Sequence, residues 1–440
     1  MGSKDAEVMK EGIIMKKLMT LALAAAMMLG AATGASAIDF KAKGQWIMSF
    51  DYGMHGNFGE SKAKNNSGFG KHEDEFEARQ RVRLQLDAVA SEALSGTVFF
   101  EMGDQIWGQD STGGALGADG KVVELKRAYI DWMVPQTDLK VRMGIQGIAL
   151  PSFTTNASQI MDDDVAAISL NYQFNENVGL TAFWARPYND NAGYYKNSDF
   201  GDTQYKNYMD NMDMFAVLLP LTFDGVKVTP WAMYGMAGAN TNFLTSTSPY
   251  ARYINNGFKG EDTTTGKAYG SMFWAGLPIS LTLWDRLNVE LDINYGYVES
   301  MGRYEAERAD NTFARMGDTK REGWLVKALV EYKMDWGTPG IFGWYASGDD
   351  GNVKNGSERM PSISACGNFM SFMGDGNYGW STSDSLYDRN MSYAGTWGIG
   401  LRIHDLSFVE DLKHSFRVAY WGGTNSPSMA KYVNLSLIHI

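Results

Sequence analysis

Cysteine is almost absent: Cys366 stands alone in 440 residues, so no internal disulfide framework can form. The five histidines fall in no H-E-x-x-H pattern and no C-x-x-C pair exists, which removes the common metal-hydrolase and redox motifs. Long apolar runs are missing too. After the stretch Leu18 to Ala32 no segment of about 18 apolar residues occurs, so no helix is expected to cross a membrane. Positive charge is in deficit, with 39 Lys and Arg against 51 Asp and Glu, a net charge of −12 and a pI of about 5.0. That balance argues against nucleic acid as a partner. No Pro/Ser-rich linker and no shift in composition marks a domain boundary, so one continuous unit is the simpler account.

What the chain does have is alternation. From Glu75 to Ala88 one set of alternate residues is Phe76, Ala78, Val82, Leu84, Leu86 and Ala88, interrupted by Gln80. The other set is Glu75, Glu77, Arg79, Arg81, Arg83, Gln85 and Asp87. A strand sends successive side chains to opposite faces, so this segment has one oily face and one charged face. Phe40 to Met54, Leu287 to Tyr297, Trp324 to Tyr332 and Met391 to Ile403 repeat the design. Long strands of this kind suit a barrel in a bilayer with water inside, where only every second residue must be apolar. The mean hydropathy of −0.28 is compatible with that reading. Trp and Tyr gather near strand ends, as amphipathic rings do at the headgroup level.

About fifteen strands can be read this way. Short turns fall near Ala90–Ala93, Pro135–Asp138, Asn175–Asn177, Thr222–Gly225, Trp284–Arg286, Asp335–Pro339 and Asp405–Glu410. Long polar segments fall between them, near 55–74, 106–121, 148–164, 187–208, 238–268, 299–321 and 348–390. Strict alternation of short and long connections is the layout of an up-and-down barrel with short turns on one side of the membrane and long loops on the other. A soluble sandwich has no reason to sort its loops so. The predicted fold class is therefore all-β, a transmembrane antiparallel up-and-down β-barrel.

Met15-Lys16-Lys17, the apolar run to Ala32 and Ala35-Ser36-Ala37 read as a secretory signal cleaved after Ala37. Residues 1–14 read as an upstream mis-start or extension, 15–37 as the signal peptide and 38–434 as the barrel. Residues 435–440 read as a foreign tail. An even strand count predicts that one or three closing strands are missing from a natural 16 or 18. Export without a helical anchor, together with the barrel pattern, predicts the bacterial outer membrane.

Leu125 to Pro135, Met161 to Asp164 and Phe416 to Asn425 resemble the outer-membrane homotrimeric porins of sulfate-reducing bacteria. The likeness runs over essentially the whole chain from Ala37, apart from the tail and the variable loops. It implies a trimeric general-diffusion channel set in outer-membrane lipid and lipopolysaccharide and passing small hydrophilic solutes. It also implies that the third long loop, Ile148 to Asp164, folds into the barrel and narrows it.

The strand parity places a basic wall in the lumen: Arg79, Arg81 and Arg83 on the second strand, Arg127 on the fourth, Lys140 and Arg142 on the fifth. Two readings stand side by side. The cations are partners in lumenal ion pairs with Glu77, Asp87 and Asp131, or they exceed their local acids and set a field. The third loop ends in Asp162, Asp163 and Asp164. These three are a solvated loop end, the acidic counterpart of the basic wall at a constriction, or a Ca2+ site, although the run lacks the spaced ligands and glycine of an EF-hand. No cofactor is otherwise expected. A barrel hydrolase is disfavoured because Ser415 and its neighbour His414 face opposite sides of their strand. A substrate-selective channel for sugars or organic anions is the alternative. It calls for an aromatic track, which Tyr129, Tyr194 and Tyr195 do not supply.

Overall fold

The computed structural model describes residues 38–53, 75–118, 123–189, 211–238, 260–265, 269–300, 302–307, 313–365, 369 and 393–428. The signal segment, Tyr194 and Tyr195, Cys366 and the C-terminal tail lie outside these residues. The strands, in chain order, are β1 (Asp39–Gly53), β2 (Glu75–Ser91), β3 (Leu94–Ile106), β4 (Glu124–Met133), β5 (Leu139–Ala149), β6 (Asp162–Gln173) and β7 (Gly179–Asn189). They continue as β8 (Asn211–Leu218), β9 (Leu221–Phe223), β10 (Val226–Val228), β11 (Trp231–Gly238), β12 (Gly260–Thr265), β13 (Tyr269–Trp284) and β14 (Leu287–Val298). The last are β15 (Gly302–Glu307), β16 (Phe313–Asp318), β17 (Arg321–Tyr332), β18 (Thr338–Ala346), β19 (Thr396–Val409) and β20 (Leu412–Gly423).

Seventeen of these segments form one antiparallel sheet; β12, β15 and β16 form a separate three-stranded sheet in the long loops. Pro220 separates β8 from β9 and Pro230 separates β10 from β11. A proline cannot donate to the ladder, so each break interrupts one long strand without ending it. Counted as continuous rods, the sheet has fifteen strands. Each pairs with its neighbours in sequence, and β1 and β20 are the two edges among the described residues. The fold is a transmembrane up-and-down β-barrel.

Several turns on the short side are two residues long. Glu92-Ala93, Asp224-Gly225, Asp285-Arg286 and Glu410-Asp411 join their strands directly. Gly225, Arg286 and Asp411 take positive φ of 68°, 62° and 63°, the conformation a tight hairpin demands.

The outer surface is a layered band. Ile168, Leu170, Val217, Val330, Ile341, Ile399, Leu401 and Val418 are exposed along the strand middles. Trp132, Phe174, Phe223, Trp284, Tyr332, Trp336 and Phe408 are exposed beside the short turns. Trp107, Tyr234, Trp324, Tyr345 and Trp397 are exposed toward the long loops. Aliphatic middle and aromatic rims are what a bilayer selects, because indole and phenol rings favour the interface and branched chains the hydrocarbon.

The inside departs from the expectation of a uniformly polar lumen. Met212, Met214, Trp231, Met233, Met272, Trp274, Phe342 and Trp344 project inward from β8, β11, β13 and β18 and are at most 7% exposed. Leu150, Ile160, Met161, Met360, Ile363 and Phe369 from two long loops pack against them. One side of the lumen is thus filled by an apolar core. Inward-facing charges lie on the wall formed by β2 to β5 and also on β14, β17 and β19, where Asp292 pairs with Lys327 and Glu331 with Arg402.

Candidate functional site

The wall begins with parity. Arg81 and Arg83 share one face of β2, and β3 supplies their partners. Arg81 donates from Nε and Nη2 to the Asp104 carboxylate at 2.8 and 2.9 Å. Arg83 Nε lies 2.7 Å from Glu101. On β5, Arg142 grips Asp131 of β4 through two bonds of 2.6 and 2.8 Å, and Lys140 reaches the same carboxylate at 2.9 Å. The Arg142 guanidinium lies 4.0 Å from the centre of the Tyr129 ring, which places Tyr129 on the inner face. Arg79 is on the same strand face and is also held by neighbouring groups.

Lys126 belongs to this wall although simple alternation puts it on the lipid side. The ladder between β3 and β4 shifts register between Phe99 and Phe100, so Phe99 pairs with Arg127 and Phe100 with Leu125. Lys126 is the extra residue of that bulge. It bridges Glu101 at 3.5 Å and Asp164 at 3.1 Å. Arg127 meets Asp164 at 2.5 Å and lies 5.5 Å from the Phe99 ring centre. Its guanidinium covers Gly147, where a Cβ would come within 2.8 Å of it. In the ion pairs described, six basic groups, Arg81, Arg83, Lys126, Arg127, Lys140 and Arg142, share the four carboxylates Asp104, Glu101, Asp164 and Asp131. Of the acids expected as partners, Asp131 holds Lys140 and Arg142, whereas Asp87 meets Lys43 of β1 and the β2 arginines turn instead to Asp104 and Glu101 of β3.

Asp162, Asp163 and Asp164 do not sit in the loop. They open β6 and pair with Ala149, Ile148 and Gly147 of β5. Strand geometry sends neighbours to opposite faces, so the three carboxylates do not converge. Asp163 accepts the Ser364 hydroxyl at 2.8 Å, and Asp164 is held by Lys126 and Arg127 on the adjacent wall. The expected acidic face opposite the arginines is therefore an ion cluster beside them. Among the described residues no three His, Cys, Asp or Glu side chains gather as a metal-holding group.

The third long loop nevertheless crosses the barrel. Residues 150–161 leave β5 and reach the opposite wall, where Asp292 of β14 and Lys327 of β17 wait. Ser152 Oγ donates to Asp292 at 2.7 Å, and the Phe153 and Thr154 amides donate to it at 3.0 and 3.3 Å. The Thr154 hydroxyl completes the set. Lys327 Nζ donates to Ser152 and Thr155 at 2.9 Å each, and to Gln159. The two charges lie 3.2 Å apart and are 1% and 0% exposed. A pair buried this deeply is tolerable only when further hydrogen bonds satisfy it, and the loop supplies them. Neither Asp292 nor Lys327 stands out in sequence. The one available signal is that Lys327 sits between Leu325 and Leu329 on the face of β17 that should be polar.

A second long loop, 347–365, is held by Arg321, which donates to the Arg359 and Met360 carbonyls at 2.8 and 2.9 Å. Asp349, 4% exposed, accepts from the Ser357 hydroxyl at 2.5 Å and the Glu358 amide at 3.2 Å. Burial pushes the Asp349 and Glu358 carboxyls above their usual range.

Solved structures similar to this one are outer-membrane porins and channels. OccK8 (OprE) of Pseudomonas aeruginosa is 11% identical, with 88% of this chain and 84% of that chain covered and a TM-score of 0.45. The loop L8 deletion mutant of OmpT, an outer membrane protein of Vibrio cholerae, is 10% identical over 88% of this chain and 94% of that one, with a TM-score of 0.44. The outer membrane channel DcaP of Acinetobacter baumannii is 10% identical over 88% and 92%, with a TM-score of 0.40. No protein-family model and no curated protein matches the chain.

Proposed function

We propose that the chain is an outer-membrane porin giving passive diffusion to small hydrophilic solutes and ions. The observation that carries this reading is the division of side chains by the wall: an aliphatic band with aromatic rims outside, and paired charges at the lumen inside. Charged groups on the lipid face would cost roughly 2–4 kcal/mol each at mid-depth, whereas in a wet lumen they cost little and act on passing ions. The constriction is formed by the loop 150–161 on one side and Arg79, Arg81, Arg83, Lys126, Arg127, Lys140 and Arg142 on the other. The apolar core fills part of the lumen and narrows the path beside the β2–β5 wall. The paired charges lining this wall set the preference among ions, an effect weaker at high salt. Short turns then face the periplasm and long loops the outside, in contact with lipopolysaccharide. The resemblance to porins of sulfate-reducing bacteria supports a homotrimer. Swelling of proteoliposomes in solutes of graded size tests the reading: rates should fall with solute radius for neutral sugars. Vesicles that swell no faster than protein-free ones would contradict it.

A further inference from the structure

A cavity of about 370 Å3 lies on the inner face where the charged wall gives way to the apolar core. Its three sides differ in chemistry. Lys140 and Arg142 line one side, Asn171 and Thr181 another, and Phe183 and Leu218 the third. Lys140 and Arg142 share the single Asp131 carboxylate, so the pair of cations carries one uncompensated positive charge there. Lys140 Nζ has one ion-pair partner for its three protons, and Arg142 uses Nε and Nη2 on Asp131, leaving Nη1. The Asn171 side-chain oxygen accepts from Thr181 at 2.9 Å, which turns its amide nitrogen outward with no acceptor among the described residues. Gln146 and Ser169, by contrast, are satisfied by each other and by the Ala167 carbonyl. The cavity therefore offers spare donors on Lys140, Arg142 and Asn171 beside Phe183 and Leu218, which are 6–7% exposed.

We infer that this cavity is a binding site for a small amphiphilic anion: a carboxylate whose oxygens take Lys140, Arg142 and Asn171 while a compact apolar group rests on Phe183 and Leu218. The site rests on the channel reading only for its physiological use; binding itself does not require conduction. It would slow such anions relative to chloride as they pass and give the channel a preference that pore width alone does not.

Benzoate is the probe, with acetate and benzyl alcohol as its charged and apolar halves. Saturation-transfer NMR on the detergent-solubilised full chain should show benzoate bound at least about tenfold more tightly than either half. Lys140→Gln and Asn171→Leu should each weaken benzoate by about tenfold, the loss of one charge-assisted or neutral hydrogen bond at a desolvated site. Both variants are checked for folding by the heat-dependent gel shift of a barrel. Equal affinity for benzoate and acetate, or folded variants that bind benzoate as the parent does, would overturn the site. Current through a planar bilayer separates the two claims: a chain that binds benzoate but never conducts refutes the channel and leaves the site standing. A chain that conducts with no benzoate binding does the reverse.

Discussion

The crossing loop depends on two buried charges, and Lys327→Met isolates that dependence. Methionine approximates the lysine stem but removes the ammonium that meets Asp292 at 3.2 Å and donates to Ser152, Thr155 and Gln159. Asp292 would be left at 1% exposure, still accepting from the loop hydroxyls and amides but with no counter-charge. Breaking one side of a buried pair costs about 3–5 kcal/mol. That converts to a loss of about a hundredfold to several thousandfold in the equilibrium that keeps residues 150–161 docked across the lumen. Amide exchange at Phe153 and Thr154, whose N–H groups point at Asp292, reads the change directly. Exchange should accelerate at these two amides while the β14 and β17 ladders stay protected. The double variant Lys327→Met with Asp292→Leu should recover much of the stability of the barrel, because an apolar replacement removes the stranded charge. The loop would still lack its anchor and exchange fast. Unchanged exchange in the single variant would refute the claim that this pair holds the loop.

Replacing Arg79, Arg81 and Arg83 with glutamine leaves Asp104 and Glu101 short of partners, so the reversal potential should move toward cation selectivity. The shift should shrink between 0.1 and 1 M salt as the Debye length falls from about 10 to about 3 Å. Substituting Leu401→Arg on the lipid face should cost roughly 2–4 kcal/mol of folding in lipid vesicles, measured by denaturant titration, whereas Ser169→Ala inside should cost less than half of that. Asp349 binds its proton more tightly folded than free, so acidification from neutral pH through its raised range should tighten the 347–365 loop. The stabilisation is lost as pH rises through the folded value, and Asp349→Asn should remove most of the dependence in proteolysis of that loop.

Most of the architecture could be read from the chain because period 2 and loop length are local signals. The strand predicted from Glu75 runs to Ser91, and each short turn falls within a few residues of its expected place. Arg81, Arg83, Lys140 and Arg142 were legible for the same reason: parity alone sets their face. Lys126 was not, since a bulge between β3 and β4 reverses the parity on which the reading depends. Asp162 to Asp164 looked like a loop end because three acids break the apolar pattern, yet the ladder to Gly147, Ile148 and Ala149 extends through them. The apolar half of the lumen escaped notice in Trp231-Ala232-Met233-Tyr234-Gly235-Met236, where both faces carry apolar residues and alternation says little. The loop partners of Asp292 and Lys327 lie 138 to 175 residues away, a pairing that no local pattern reports.

Whether the wall encloses a conducting, charge-lined path is decided by single-channel recording of the purified chain in a planar bilayer. Discrete conductance steps are expected in potassium chloride, with a zero-current potential under a salt gradient that moves toward the cation side when Arg81, Arg83 and Arg142 are neutralised together. A bilayer that stays silent with folded protein inserted, or steps whose selectivity ignores those arginines, would contradict that expectation.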